Sequence, residues 1–486
     1  MFEHPLRPYL ALGVVVTLLA TNVALGSLLP TARTQAVALT LLPIVAIGLG
    51  SLIASNRAIL VFAAFAINLC APLPLADPLP LHAGIEVFPS DILVLLAVAS
   101  WVAAWLLGPE EARPSPLRTR VLGWPLLLFG VILFSAVIRG HERYGEQLIS
   151  VPTRFFLYAG IALAVTDLKP RDAYRWLVGL FYVGTVWQAL VAVYGYATGK
   201  SATSAVILST GGERVLAGST AMFMAGALIL ALLNLELDRS GRRTALHLLM
   251  AGLATFALVS TFQRTTFAAV GLLVPLALLA FRHIGLRTTA FLPILAPFLV
   301  LVALLVPKAD PSLFPTLSDR VTASPSTDTS ANWRKKAVAA VWTQVREAPV
   351  TGVGFGRTAS FKINNVRTAL TQDPHNQFIY LWAGGGLLLL GSFVLLLLVY
   401  LVESWQRFKN GTKEERPLIF WAVSLWFVFL VNSATGITLT SPPLLLVFWI
   451  LMVLPMTVRR EDMAVALAPG HASLRPAPTY GKTPAK

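Results

Sequence analysis

Residues 377–402 read QFIYLWAGGGLLLLGSFVLLLLVYLV and contain no Asp, Glu, Lys or Arg. A run of about 17–25 apolar residues is long enough to cross the hydrocarbon core of a bilayer as a helix. Similar runs recur along most of the chain: 56% of the residues are apolar, 13% are charged, and the mean hydropathy is +0.72. A soluble domain is nearer a quarter charged, so the composition predicts an all-α polytopic membrane protein.

The apolar runs, separated by polar breaks, predict about 12–14 transmembrane helices. Their approximate limits are residues 9–29, 34–55, 58–75, 90–108, 121–138, 152–167, 174–197, 217–236, 244–262, 265–281, 288–307, 377–402, 417–434 and 440–457. We expect an N-terminal bundle of about 11 spans at 1–307, a long loop containing short helices at 308–376, C-terminal helices at 377–458 and a disordered tail at 459–486.

The positive charge of the chain also fits a membrane protein. The formal net charge is +15, but Lys and Arg are spread over short loops between the spans, which argues against nucleic-acid binding. With the N-terminus inside, the inside segments hold 17 Lys and Arg residues and the short outside loops hold seven. Cytoplasmic loops are the richer in these residues, so both termini are predicted to face the cytoplasm. The segment 308–376, called the outer loop below, then lies on the other side.

Two segments of the outer loop predict local structure. Residues 332–349 predict a short basic helix with one apolar stripe, formed by Trp333, Ala337, Val338, Val341, Trp342 and Val345. Such a helix suits either the membrane–water interface or packing on the bundle. The stretch PVTGVGFG at 349–356 does not have the spacing of a P-loop, and a tight turn is favoured over a phosphate cradle.

Three basic side chains are predicted on the outer face. His375 lies two residues before the span at 377–402, where a helix N-terminus disfavours the imidazolium form and leaves a general base at neutral pH. Position alone leaves a catalytic and a structural role open. Arg214 precedes one span and Arg264 lies between two, and guanidinium groups suit bidentate binding of phosphate oxygens. Each arginine is equally compatible with an interaction with lipid headgroups.

The order of these short motifs resembles the O-antigen ligase and O-antigen polymerase superfamily. The matching segments are RVLAG at 214–218, STFQR at 260–264, NWR at 332–334, PVTGVGFG at 349–356 and PHN at 374–376. One departure is Gln263, which replaces the commoner serine before the arginine. Single motifs of this kind are not specific, but their ordered set is.

The resemblance implies a transferase that acts on undecaprenyl-pyrophosphate-linked glycans at the periplasmic face of the bacterial inner membrane. By the same resemblance, His375 takes the proton from an acceptor sugar hydroxyl as that oxygen attacks the anomeric carbon. Arg214 and Arg264 bind the departing pyrophosphate, and Arg334 and Asn376 are further substrate-binding candidates. The sequence has no Asp-x-Asp or HExxH motif and the donor carries its own leaving group, so we expect metal-independent, cofactor-free, inverting transfer.

Several acceptors fit this chemistry. A ligase uses lipid A–core, a polymerase uses another lipid-linked repeat unit, and a protein O-glycosyltransferase uses a hydroxyl side chain. The motif at 374–376 beside the re-entering helix favours the ligase. A polysaccharide transporter or flippase is the alternative from another class. Transporters place ionisable residues near mid-span, whereas these spans are almost free of charge, which favours an enzyme.

Overall fold

A computed structural model describes residues 57–70, 79–80, 86–107, 120–145, 150–161, 165, 170–198, 216, 218–237, 240–261, 263–280, 329–363, 366–371, 374–412, 415–436, 439 and 441–457. The spans predicted at 9–29, 34–55 and 288–307 lie outside the described residues, as do the tail predicted at 459–486 and the first part of the outer loop.

Helices dominate the described part of the chain. They are α1 (Arg57–Leu69), α2 (Pro89–Leu107), α3 (Arg120–Tyr144), α4 (Ser150–Ala159), α5 (Pro170–Thr198), α6 (Thr220–Leu237), α7 (Gly241–Ser260), α8 (Arg264–Ala280), α9 (Thr329–Glu347), α10 (Gln377–Asn410), α11 (Arg416–Thr435) and α12 (Pro442–Val453), and a 3-10 turn (Leu454–Thr457) follows. Two antiparallel hairpins accompany them, β1 (Leu79–Pro80) with β2 (Glu86–Val87) and β3 (Thr358–Ile363) with β4 (Val366–Thr371).

Five of the described helices are long and apolar enough to cross a bilayer. They comprise residues Gly123–Tyr144, Arg171–Ala197, Gly241–Ser260, Gln377–Asn410 and Arg416–Thr435. Shorter apolar helices lie at Ala58–Leu69, Pro89–Val102, Thr220–Leu235 and Pro443–Thr457. These elements confirm the all-α polytopic membrane class that the composition predicts.

The bundle packs its large side chains inward and presents others outward. Phe129 and Phe393 join α3 to α10 with ring centroids 5.5 Å apart, and the indole of Trp421 donates to the Gly226 carbonyl oxygen across α11 and α6 at 3.0 Å. In contrast, Val183 on α5 is 65% exposed. Exposed apolar side chains on a helix of this length suit contact with lipid tails.

The helix directions bring one set of helix ends together. The segments that join α6 to α7 and α10 to α11 are only a few residues long, so consecutive helices run antiparallel. The starts of α8 and α10 and the ends of α7 and α11 then lie at one end of the bundle. The opposite end carries the described basic residues Arg242, Arg243, Arg407, Lys409 and Arg416.

The helix α10 differs from the single span predicted at 377–402, because it is broken in the middle. Gly386 has φ 70° and ψ −169°, a conformation outside the helical region and essentially restricted to glycine. The sequence there is Gly384-Gly385-Gly386. The break divides α10 into a short first segment that begins at Gln377 and a longer second one.

The outer loop contains more than the predicted short helix. Following α9, the chain forms the turn at 348–357 and then the β3–β4 hairpin, whose ladder pairs Thr358 with Thr371 and Ile363 with Val366. The hairpin adds a small sheet to a loop for which only helices are predicted. α9 packs against both α10 and β3.

Candidate functional site

His375 lies two residues before Gln377, the first helical residue of α10, with only the N-cap Asn376 between them. Its φ is 50°, the only positive value at a described residue other than glycine, and such a conformation costs about 1–3 kcal/mol. The Trp333 ring of α9 meets its imidazole edge to face with 4.7 Å between ring centroids. His375 is partly exposed, whereas Pro374 before it is buried. The side chain is thus held at the surface of the protein by its backbone and by one aromatic neighbour.

The two residues after His375 fix the start of α10. Asn376 is the N-cap: its Oδ1 accepts from the backbone N–H groups of Phe378 and Ile379 at 3.0 and 3.1 Å. Its Nδ2 donates to the carbonyl oxygen of Ala434 at 2.9 Å, in the last turn of α11. Gln377 is buried, and its Oε1 accepts from the N–H of Leu439 at 2.9 Å. The Asn376 side chain therefore caps the N-terminus of α10, and its role in substrate binding stays a prediction.

Arg264 is the first residue of α8, and its side chain lies outside the described part of the structure. The next two residues are tied to α11. The hydroxyls of Thr265 and Thr266 both donate to Oδ1 of Asn432, at 3.0 and 2.9 Å. Because Asn432 precedes Ala434 by two residues, the start of α8 and the start of α10 are bound to the same turn of α11.

Arg214 lies outside the described residues, and its role stays a prediction. Leu216, two residues later, is buried, and its N–H donates to the Ser260 carbonyl oxygen at 3.4 Å. Ser260 ends α7, four residues before Arg264. Leu216 thus lies at the same end of the bundle as the start of α8.

Arg334 lies in α9 beside Trp333, and its side chain is partly buried. Because Trp333 touches His375, this places Arg334 next to a residue that contacts the histidine. The structure therefore brings together the backbones of the four predicted site residues that it describes, which are Arg264, Arg334, His375 and Asn376. The positions of the Arg214 and Arg264 guanidinium groups remain predictions.

The glycine-rich turn forms a backbone interlock with the break in α10. The N–H groups of Val353 and Gly354 donate to the carbonyl oxygens of Ala383 and Gly384, each at 2.9 Å. In the other direction, the N–H of Leu387 donates to the Pro349 carbonyl oxygen at 2.8 Å. The turn and the break thus satisfy each other's backbone groups, which helix ends leave without partners. This geometry confirms the interpretation as a tight turn.

Glycine is required where the two backbones meet. Gly352, Gly354 and Gly356 have φ of 71°, 91° and 107°. A methyl group at Gly352 would overlap the Gly384 carbonyl, and one at Gly386 would overlap the Val350 carbonyl. The alternating glycines of the motif therefore serve close backbone approach.

Two arginines near the end of α3, Arg139 and Arg143, stabilise the same turn. Arg139, near the end of α3, donates from Nη1 to the carbonyl oxygens of Thr351 and Gly352, the latter at 3.1 Å. Arg143 donates to the Val353 carbonyl oxygen at 3.4 Å. A positive charge that binds several carbonyl oxygens fixes the turn to α3. Their spacing of four residues on one helix face is the only sequence signal for this role.

An ion pair joins the two ends of the turn at 348–357. The Arg357 guanidinium donates to the Glu347 carboxylate, at the last residue of α9, through both terminal nitrogens. This hydrogen bond, helped by the charge of Arg357, lowers the pKa of Glu347 below its ordinary value. Because the Glu347 side chain is half exposed, the pair is screened by solvent and its stabilisation is small.

The apolar stripe of α9 packs on the bundle. Val341 and Val345 are buried against Ala383 of α10 and Ala359 of β3. Trp342 meets the Trp382 ring at 5.1 Å, edge to face. Of the two placements that the sequence leaves open, the structure shows packing for this stripe.

A second charged cluster joins α2 and α4. Asp91 accepts from Nε of Arg154 at 3.2 Å and from the Tyr158 hydroxyl at 2.5 Å, and it caps the N–H of Phe88 at 2.9 Å. The Arg154 guanidinium also lies 4.7 Å from the centroid of the Phe88 ring. A buried ion pair needs such additional hydrogen bonds to offset its desolvation. These contacts therefore make the cluster a structural link between α2 and α4.

Metal binding is not indicated by the side chains that the structure describes. Among the described residues, no group of three or more His, Cys, Asp or Glu side chains is arranged to hold a metal ion. The prediction of metal-independent chemistry awaits experiment.

A protein-family model matches the part of the chain that carries His375 and Arg264. The family model described as O-antigen ligase matches residues 248–394, under a third of the chain, from within α7 to the second segment of α10. The matched region includes Arg264, α9, the glycine-rich turn and His375. A search of curated proteins gives no match. The family match confirms the resemblance to the O-antigen ligase and O-antigen polymerase superfamily over residues 248–394.

Proposed function

We propose that the protein is a membrane glycosyltransferase of the O-antigen ligase type. It moves a glycan from undecaprenyl-pyrophosphate to a hydroxyl of lipid A–core at the periplasmic face of the bacterial inner membrane. The observation that carries the proposal is the common attachment of α8 and α10 to one turn of α11. This attachment brings the segment of Arg264 beside that of His375 within the region that matches the family.

In the proposed reaction His375 is the general base. The acceptor hydroxyl gives its proton to a neutral imidazole nitrogen, its oxygen bonds to the anomeric carbon, and the bond from that carbon to the pyrophosphate oxygen breaks. Attack from the face opposite the leaving group inverts the anomeric configuration. A base must lie within about 2.6–3.2 Å of the hydroxyl oxygen that it deprotonates, and a partly exposed histidine allows this approach.

The arginines are proposed to stabilise the leaving group. Negative charge grows on the pyrophosphate as the glycosidic bond breaks, and preorganised cations lower the energy of that state. Arg264 begins a helix, so its guanidinium would act together with the N–H groups of the first turn. Arg214 and Arg334 are the further candidates, and Asn376 is a candidate for contact with the sugar.

The proposed orientation places the site in the periplasm and both chain termini in the cytoplasm. The basic end of the bundle, which includes Arg242, Arg407 and Arg416, lies opposite the site. An excess of Arg and Lys marks the cytoplasmic side of membrane proteins. This distribution supports a periplasmic site.

The test is glycan transfer in vitro by purified protein in detergent or liposomes, with a defined undecaprenyl-pyrophosphate glycan and lipid A–core. We expect His375→Ala to lower kcat by about 10²–10⁴-fold, the contribution of a general base. His141→Ala is the matched control, because His141 is an exposed histidine at the end of α3 and should leave kcat unchanged.

Two further versions of the assay test the need for a metal ion and the identity of the acceptor. Transfer that persists in EDTA supports metal-independent chemistry, and transfer that stops contradicts it. Replacing lipid A–core with a second lipid-linked repeat unit distinguishes a polymerase, which elongates that unit, from a ligase. If His375→Ala is as active as His141→Ala, the assignment of His375 is wrong.

A further inference from the structure

The side chain of Asn432, close to the end of α11, forms hydrogen bonds with the start of α8, the helix that begins at Arg264. It is 5% exposed. Its Oδ1 accepts from the hydroxyls of Thr265 and Thr266 at 3.0 and 2.9 Å. Its Nδ2 donates to the Val428 carbonyl oxygen at 2.9 Å and contacts Sδ of Met222 at 3.3 Å. A single amide therefore contacts α6, α8 and its own helix.

The hydrogen bonds from Thr265 and Thr266 fix both the rotation of α8 about its axis and its position along that axis. One amide oxygen accepts from two successive side chains, which lie about 100° apart around the helix axis. Rotating α8 by one residue, or sliding it by one, removes at least one of these hydrogen bonds. Arg264 directly precedes the threonines, so the two hydrogen bonds also fix the backbone position of Arg264 at the helix start.

The same turn of α11 holds the histidine. Ala434 lies two residues after Asn432, about 5 Å away by helix geometry, and its carbonyl oxygen accepts from Asn376. Carbonyl groups in the last turn of a helix have no partner inside that helix, so this oxygen is available for the cap of α10. Two hydrogen-bonded contacts, joined by the backbone of α11 between Asn432 and Ala434, thus link the residue after Arg264 to the residue after His375.

We propose that Asn432 is a positioning residue that sets the separation between Arg264 and His375. The inference rests on the proposed function, in which Arg264 binds the leaving group and His375 takes the proton of the acceptor. A base and a leaving-group cation act on opposite sides of one anomeric carbon, so their separation must match the substrate. A misplacement of about 1 Å can lower a rate by about 10²-fold.

The experiment compares Asn432→Ala with a matched control, Asn234→Ala. Asn234 is a buried asparagine of α6 at the opposite end of the bundle. Its Oδ1 accepts from the Tyr174 hydroxyl at 2.9 Å and its Nδ2 donates to the Tyr182 hydroxyl at 3.3 Å. Both variants remove an interhelical amide, so both should lower Tm to a similar extent. In the glycan-transfer assay, we expect only Asn432→Ala to lower kcat, by about 10- to 100-fold, with little change in acceptor KM.

A second variant tests the path without changing Asn432. Thr265→Val with Thr266→Val removes both donated hydroxyls while keeping the side-chain shape, and it should reproduce the kcat loss. Because the three residues act as one unit, the triple variant should lose no more than either parent. Losses that multiply, or a kcat of Asn432→Ala equal to that of Asn234→Ala, would overturn the inference while leaving the proposed function intact. A wild-type protein that transfers no glycan overturns both.

Discussion

Replacing Gly386 with alanine tests the backbone interlock between the glycine-rich turn and α10. The alanine must adopt φ near 70° with an extended ψ, a conformation that costs about 1–3 kcal/mol. Its methyl group would also overlap the Val350 carbonyl oxygen. Relieving that overlap separates the backbones and breaks the hydrogen bonds from Leu387 and Leu388 to the turn.

The expected destabilisation follows from these two effects. Each lost backbone hydrogen bond contributes about 0.5–1.5 kcal/mol. Together with the conformational cost, Gly386→Ala should lower the free energy of unfolding by about 2–6 kcal/mol. Reversible unfolding by SDS in mixed micelles, followed by circular dichroism, measures this quantity directly.

Gly391→Ala provides the control on the same helix. Gly391 is exposed, and a methyl group there meets no other atom within 4 Å. Alanine is the better helix former by about 0.5–1 kcal/mol, so this variant should be slightly stabilised. If Gly386→Ala unfolds with the same free energy as Gly391→Ala, the interlock does not stabilise the fold and the reasoning is refuted.

Two further predictions concern the neighbours of the turn. Since Arg357 lowers the pKa of Glu347, the stabilisation by this pair is present above the ordinary glutamate pKa of about 4.3 and is lost as the pH falls through the lowered value. The Tm of the wild type should therefore exceed that of Glu347→Gln at pH 7, and the difference should disappear once the pH lies below the lowered pKa. A difference that does not change with pH would contradict this. Trp333→Leu removes the ring beside His375, and aromatic contacts contribute about 0.5–1.5 kcal/mol, so kcat should fall roughly two- to tenfold. Trp342→Leu, on the same helix, should lower Tm but not kcat; equal kcat losses in both variants would show that Trp333 acts only through the stability of α9.

The positions of many spans could be predicted closely from apolar runs alone. The predicted limits 417–434 and 244–262 compare with α11 at Arg416–Thr435 and α7 at Gly241–Ser260. A bilayer imposes one length and one polarity on every crossing helix, so a local pattern suffices.

The break in α10 could not be predicted in the same way, because its cause is not local. Glycines are frequent in membrane helices, and three in a row do not by themselves end one. The backbone groups freed at Gly386 find partners in the turn at 349–354, more than thirty residues earlier in the chain. The β3–β4 hairpin has a sequence signal, because polar Thr358 and Ser360, which are exposed, alternate with apolar Ala359, which is buried. This alternation is too short to predict a strand by itself.

The candidate site was predictable in part. His375 could be identified by its position before a helix, but its positive φ and its contact with Trp333 depend on how α9 packs. Asn432 is a lone amide in an apolar span, a pattern that indicates an interhelical hydrogen bond. Its partners, Thr265 and Thr266, could be identified only from the structure, because pairing between helices depends on their three-dimensional arrangement.

The attachment of the outer loop at two places has a consequence for which part of the loop can vary. The chain is anchored to the bundle by the turn at 349–354 and again by Asn376, and the β3–β4 hairpin is an excursion between these anchors. Lengthening or exchanging such an excursion costs little free energy when both its ends are fixed. The hairpin can therefore differ in length and sequence while the turn and the start of α10 keep their places.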